Sequence, residues 1–145
     1  MSAPSGGARV ATGRLRVDAA RAVHKLRDYQ LPDRTMWVLE VVRAAVASKA
    51  ESIFVRGDSD DVWVGWEGEP IDAAAMPRLL DELVDPAPSA ERRALRLLAT
   101  GLNTALGADP RWVDVYRAER GEGLRVRYTP GLLEPTGDGE AAGLR

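Results

Sequence analysis

The stretch Asp33–Lys49, DRTMWVLEVVRAAVASK, constrains the fold more than any other. It follows Pro32 and opens on Asp33 or Thr35, either of which can cap the first free amides of a helix. Between Met36 and Ala47 the only charges are Glu40 and Arg43, one turn apart. A helix that is apolar nearly all round belongs in an interior, so the segment predicts a central helix buried on most of its circumference. One strip departs from that pattern. Glu40, Arg43, Ala44 and Ala47 recur at helical spacing, acidic at one end and small at the other. Two readings of the strip stand. In one, Glu40 pairs with Arg43 at the rim of a core helix; in the other, the small residues leave room beside a lone carboxylate, and Glu40, Ala44 and Ala47 line a ligand cleft.

The remaining chain supplies the elements that would cover this helix. Met1–Thr12 is built of Gly, Ala, Ser and Pro and is expected to be mobile. Leu15–Val17 reads as a short strand, followed by a helix from Asp18 to about Asp28 with Ala19, Ala22, Val23, Leu26 and Tyr29 on one face. Ser52–Arg56 and Val62–Trp66 are β-branched and aromatic on either side of the turn Gly57–Asp61, which predicts a hairpin or neighbouring strands. Asp58, Asp60 and Asp61 lack the glycine and closing glutamate of a calcium loop, so a solvated turn is expected. A helix is expected over Asp72–Val84, with Pro77 near its start. DPAPS is a stiff connector, and Ser89 is an N-cap candidate for a helix carrying Leu95, Leu98, Leu102 and Leu106 to a stop at Gly107. Gly101, inside that helix, marks a hinge, a break or a close approach. The helical stretch Ser89–Leu106, with the connector before it, is expected to be the most mobile ordered part of the domain. Arg111–Ala118 and Leu124–Thr129 alternate about a turn, with Leu124, Val126 and Tyr128 facing one way and Arg125 and Arg127 the other. Helix, helix, strand, strand, repeated once, predicts an α/β fold: a two-layer sandwich with helices on one face of a mixed, mostly antiparallel sheet.

Composition narrows the function classes. With 145 residues and 45% hydrophobic content the chain has enough length for one core. A net charge of -2 leaves no generic attraction for nucleic acid or an anionic membrane. No apolar run approaches the roughly 20 residues of a membrane span, and the expected location is cytoplasmic. There is no cysteine, and the single histidine, His24, cannot build an ordinary zinc site alone. The expected partners are a protein or further domains of a longer chain.

The element order and several local strings resemble the ATP-binding domain of the GHKL superfamily (the Bergerat fold), closest to its HtpG-type heat-shock-chaperone branch. WVLEVVRAAVASKA is similar to the family helix Glu-x-x-x-Asn-x-x-Asp/Ala, VWVGWEGEPI to the strand ending in Asp-x-Gly-x-Gly, and LLATGLNTALGADPRWVDVYRA to the glycine-bearing lid helix and its following strand. The likeness covers roughly 15–129, leaving 1–14 as a flexible N-terminus and 130–145 as a flexible tail or the start of a missing closing strand. The resemblance places Glu40 on the carboxylate that orients the attacking water. It places Ala44 on the magnesium-holding asparagine, Ala47 on the same helix face, and Trp66 or Glu67 on the adenine-reading aspartate. Gly68 and Gly101 keep loop and lid glycines, while Pro70 and Ala99 replace others. It therefore implies a relative with a largely degenerate nucleotide site, acting as a binding or conformational-signalling module, with ATP weak and magnesium unfavoured. Its alternative is a weakly active ATPase using Glu40, and an unrelated α/β sandwich is the third reading. It also implies either the front part of a longer polypeptide or a sheet that has lost its last strand.

Overall fold

The computed structural model describes residues 12–138 apart from Leu31, Pro88, Arg120, Gly121 and Leu133. The N-terminal stretch expected to be mobile lies outside these residues up to Ala11, as does the end of the tail. Among the described residues, three α-helices and two antiparallel sheets make a mixed α/β fold.

Helix α1 spans Thr12–Tyr29, so Leu15–Val17, expected as a strand, is helical. No glycine or proline interrupts the chain between Arg14 and Tyr29, and a helix nucleated in its alanine-rich centre propagates backward one hydrogen bond per residue. Asp33 starts the next element: its carboxylate accepts from the Thr35 amide at 2.8 Å and from the Thr35 hydroxyl at 2.7 Å. A 3-10 turn over Arg34–Met36 then feeds α2, Trp37–Ala47. Helix α2 ends with Lys49 in the left-handed region (φ 55°). The Ala50 amide reaches back to the Ala45 carbonyl and the Lys49 amide to that of Val46, which satisfies carbonyls the helix would leave open.

The expected helix over Asp72–Val84 is a 3-10 segment, Met76–Leu83, kinked at Arg78. Pro77 stands in its first turn, where the missing amide costs little. Helix α3, Arg93–Gly107, follows a 3-10 turn at Ala90–Arg92. The Ser89 side chain makes no cap bond; the Arg92 amide bonds its carbonyl instead.

Strands β1 (Ser52–Gly57) and β2 (Val62–Glu67) form one hairpin. Strands β3 (Val113–Glu119) and β4 (Glu122–Tyr128) form a second, and β5 (Thr136–Asp138) pairs with β4 at Arg125–Arg127. The expected single mixed sheet is therefore two separate sheets among the described residues, and part of the tail is a strand. Strand addition uses backbone groups alone, so Thr-Gly-Asp can fill an open edge without showing any side-chain period.

One core joins the parts. Val41 and Ala44 of α2, Met76 and Leu79, Leu98, Leu102 and Leu106 of α3, and Val126 and Tyr128 of β4 form a single buried cluster. Trp37, Val64 and Trp66 and the inward residues Val113, Val115 and Leu124 pack on it. Helix α3 is the encircled one, buried at every residue from Leu98 to Leu106 except Thr100. Helix α2 is less enclosed than its composition predicts, with Leu39 47% and Val46 64% exposed. It presses on α3 with one side only, and no described element covers Leu39 and Val46.

Candidate functional site

Gly101 sets the helix crossing. A Cβ there would stand 2.8 Å from Val41 Cγ2 and 3.1 Å from the Trp37 carbonyl oxygen, so only glycine lets α3 approach the first turns of α2 this closely. Of the meanings open to a glycine in mid-helix, close approach is the one realised. Glu40 precedes Val41 in the same turn of α2. It is 5% exposed, and its Oε1 accepts from Arg43 Nη1 at 2.8 Å. Arg43 is half-exposed, so the pair has a buried anion and a wet cation. Ala44, 1% exposed, lies in the core cluster, whereas Ala47 is exposed.

The loop residues gather at the other end of α2. Trp66 is half-buried against the core, facing Ile53 across the hairpin. Glu67 is exposed, and its Oε2 accepts from the Ser52 hydroxyl at 3.1 Å. Gly68 sits on the α2 terminus: a Cβ would stand 2.9 Å from the Ser48 carbonyl oxygen and from Ala50 Cα. The Glu69 amide bonds that same carbonyl, and Lys49 Nζ lies 2.6 Å from Glu69 Oε1. The structure thus buries Glu40 and Ala44 on α2, sets Gly101 against the Trp37–Val41 turn, and brings Glu67 and Gly68 to the α2 terminus. Trp66 shares the core cluster with Ala44, and Ala47 stands apart on the surface.

Buried polar groups that the sequence reading passed over organise other parts of the molecule. Asn103, fully buried on α3, accepts from Arg27 Nε at 3.1 Å and donates to the Gln30 side chain at 3.0 Å and to the Val23 carbonyl at 3.3 Å. Burial holds the Arg27 guanidinium below its ordinary pKa. A lone amide among leucines is the signal that could have found this node. Tyr128 donates to the Met76 carbonyl and accepts from the Leu79 amide, tying the 3-10 segment to β4. Burial, foremost, pushes its phenol up to about 12. Glu82, buried, takes a forked contact from Arg92, and this raises the Arg92 pKa.

On the outer face of β3–β4, Arg127 makes two 2.7 Å bonds to Asp114 and lies 4.3 Å from the Trp112 ring centre. The bond from Arg127 holds the Asp114 carboxyl below its ordinary range. In the first hairpin Asp58 accepts from the Asp60 and Asp61 amides at 2.9 Å, and those bonds lower its pKa. The three aspartates thus build a turn, and no metal-holding cluster occurs among the described residues. No described helix is long and apolar enough to cross a membrane. A shallow, open depression on α1 is lined by Ala22, Lys25, Leu26 and Tyr29. No family model, curated protein or solved structure matches the chain.

Proposed function

We propose that the protein is a binding or conformational-signalling module, a GHKL-like relative of heat-shock-chaperone ATPases with a degenerate nucleotide site. The packing at Gly101 carries this reading. The space that a side chain at Gly101 would take is filled by Val41 and the Trp37 backbone, so this glycine is committed to helix packing.

The other residues agree with it. Ala44 has no oxygen to offer a magnesium ion, which needs oxygen ligands in octahedral array, and its side chain is sealed in the core. Trp66 brings an indole N–H where an adenine amino group needs an acceptor, and its ring is engaged with the core. Glu40 is held by Arg43, and an unscreened triphosphate beside that buried carboxylate would be repelled. The residues present do not fit magnesium-ATP.

Titration calorimetry with ATP and ADP, with and without magnesium, tests the proposal on the protein and on Ala44→Asn and Trp66→Asp. The expected result is no saturable binding by the unmodified protein below about 1 mM. Micromolar binding by that protein, with hydrolysis abolished by Glu40→Ala, overturns it in favour of a working ATPase.

A further inference from the structure

The β1–β2 hairpin rests on the core through β2 alone, with β1 uncovered. All six residues of β1 are exposed, among them Ile53 at 37%, Phe54 at 58% and Val55 at 56%. Strand β2 differs, because Val64 and Trp66 lie against the core. Both outer edges of this two-stranded sheet are unpaired among the described residues, and β1 is the strand whose every residue stands in solvent.

Hydrogen-bond alternation tells which backbone groups that edge presents. The Asp58 amide bonds the Asp61 carbonyl at 3.0 Å, and the register runs Gly57↔Val62 through Ser52↔Glu67. Inward-bonded pairs recur every second residue, so Arg56, Phe54 and Ser52 turn their N–H and C=O toward β2. Ile53 and Val55 turn theirs outward. Exposed edges in monomers are usually guarded by lysine, proline or a bulge. This strand has no lysine or proline, its register is unbroken, and Arg56 is its one charge.

We propose that β1 is a dimerisation edge, pairing antiparallel with β1 of a second copy about a two-fold axis at Phe54. In that register Ile53 exchanges backbone bonds with Val55 of the second copy. The two Phe54 residues meet as a non-bonded pair, and Arg56 lies opposite Ser52 of the second copy. The strip is complementary in charge where Arg56 meets Ser52 of the second copy. The Ser52 hydroxyl is bound to Glu67, so each Arg56 arrives beside the other copy's Ser52–Glu67 pair. The acidic turn Asp58–Asp61 then runs past Ala50 toward the Lys49–Glu69 pair of the other copy. Sliding by one two-fold step sets Arg56 against Phe54 or Ala50 and loses that match. The product is one continuous sheet, β2-β1-β1-β2. The proposal stands apart from what the α2 strip binds, and nucleotide titration neither supports nor weakens it.

Sedimentation velocity of the full chain over a concentration series tests it, together with Val55→Pro. Proline there removes an outward N–H and leaves the inner ladder intact. The expected result is a reversible dimer whose dissociation constant rises at least about tenfold in the variant. Because the chain has no cysteine, Ser52→Cys and Arg56→Cys proteins can be mixed and oxidised. Facing residues of a non-bonded pair stand about 4.5 Å apart at Cα, within disulfide reach. The mixture should crosslink as a heterodimer, whereas each protein alone should not. A monomer at every concentration overturns the proposal. So does a dimer unaffected by a folded Val55→Pro protein, or an absence of heterodimer in the oxidised mixture; the crosslink decides if the proline variant does not fold.

Discussion

The two hairpins are similar in length and pairing, and their surroundings make them different objects. In β3–β4 every second residue turns inward: Val126 is 3% and Tyr128 4% exposed, with Val113, Val115 and Leu124 beside them. The opposite face carries Asp114, Arg125 and Arg127, and β5 covers the β4 edge. In β1–β2 apolar residues lie on both faces, and the outer end stays in solvent at Val55 and Val62. Arg56 lies 6.0 Å from the Trp63 ring centre, and the Phe54 ring covers Gly65. A strand's composition therefore does not settle its burial. The second hairpin alternates apolar with charged and commits one face, while the first is apolar on both and is served by the core only at Val64 and Trp66.

The largest expected contrast lies at high pH. Tyr128 has a folded pKa of about 12, above the ~10 of an unfolded tyrosine, so its contribution is complete below pH ~10 and is lost as pH rises through 12. Two units correspond to roughly 2–3 kcal/mol. Urea melts at pH 9 and 12 should show that loss in the protein and a smaller one in Tyr128→Phe; equal losses would mean the phenol is not buried. Next, Val126→Ala should cost about 2 kcal/mol and Val55→Ala below about 0.5 kcal/mol, because only the first removes methyls from a filled interior. Similar costs by chemical denaturation would erase the distinction between the hairpins.

Smaller again is the outer face of the second sheet. Asp114→Asn should cost about 1 kcal/mol at neutral pH. The Asp114 pKa is depressed in the fold, so its contribution is present above the unfolded value near ~3.9 and fades as pH falls through the folded one. The variant should flatten the acid limb of a stability–pH profile. A small effect is also expected of Phe54→Ala, below about 1 kcal/mol on monomer stability, since a ring 58% exposed gives up little on removal. A larger cost, measured at a concentration where the protein is monomeric, would show that the ring over Gly65 supports the hairpin.

Much of the local structure was legible because it rests on local rules. The Asp33 cap, the Gly57–Asp61 turn, the inward face Leu124–Val126–Tyr128 and the leucine spacing of α3 all follow from side-chain period or short-range bonding. Other features were hidden because they depend on distant partners. Leu39 and Val46 look like core residues until no element arrives to cover them. Asn103 looks out of place among leucines until Arg27 and Gln30 come from α1. Thr136–Asp138 looks like loop until the β4 edge offers it backbone bonds.

The same division runs through the candidate site. Sequence alone determined that Glu40 and Arg43 lie one turn apart and can pair, that Ala44 brings no oxygen, and that glycine stands at 68 and 101. These are matters of residue identity and helical spacing, which need no third dimension beyond the helix itself. Tertiary structure decided that the Glu40 carboxylate is buried and that Ala44 belongs to the core. It also decided that Gly101 is where α3 meets the Trp37–Val41 turn, and that Gly68 presses on the end of α2. Burial and close approach are properties of two surfaces at once, and a single stretch of chain encodes only one of them.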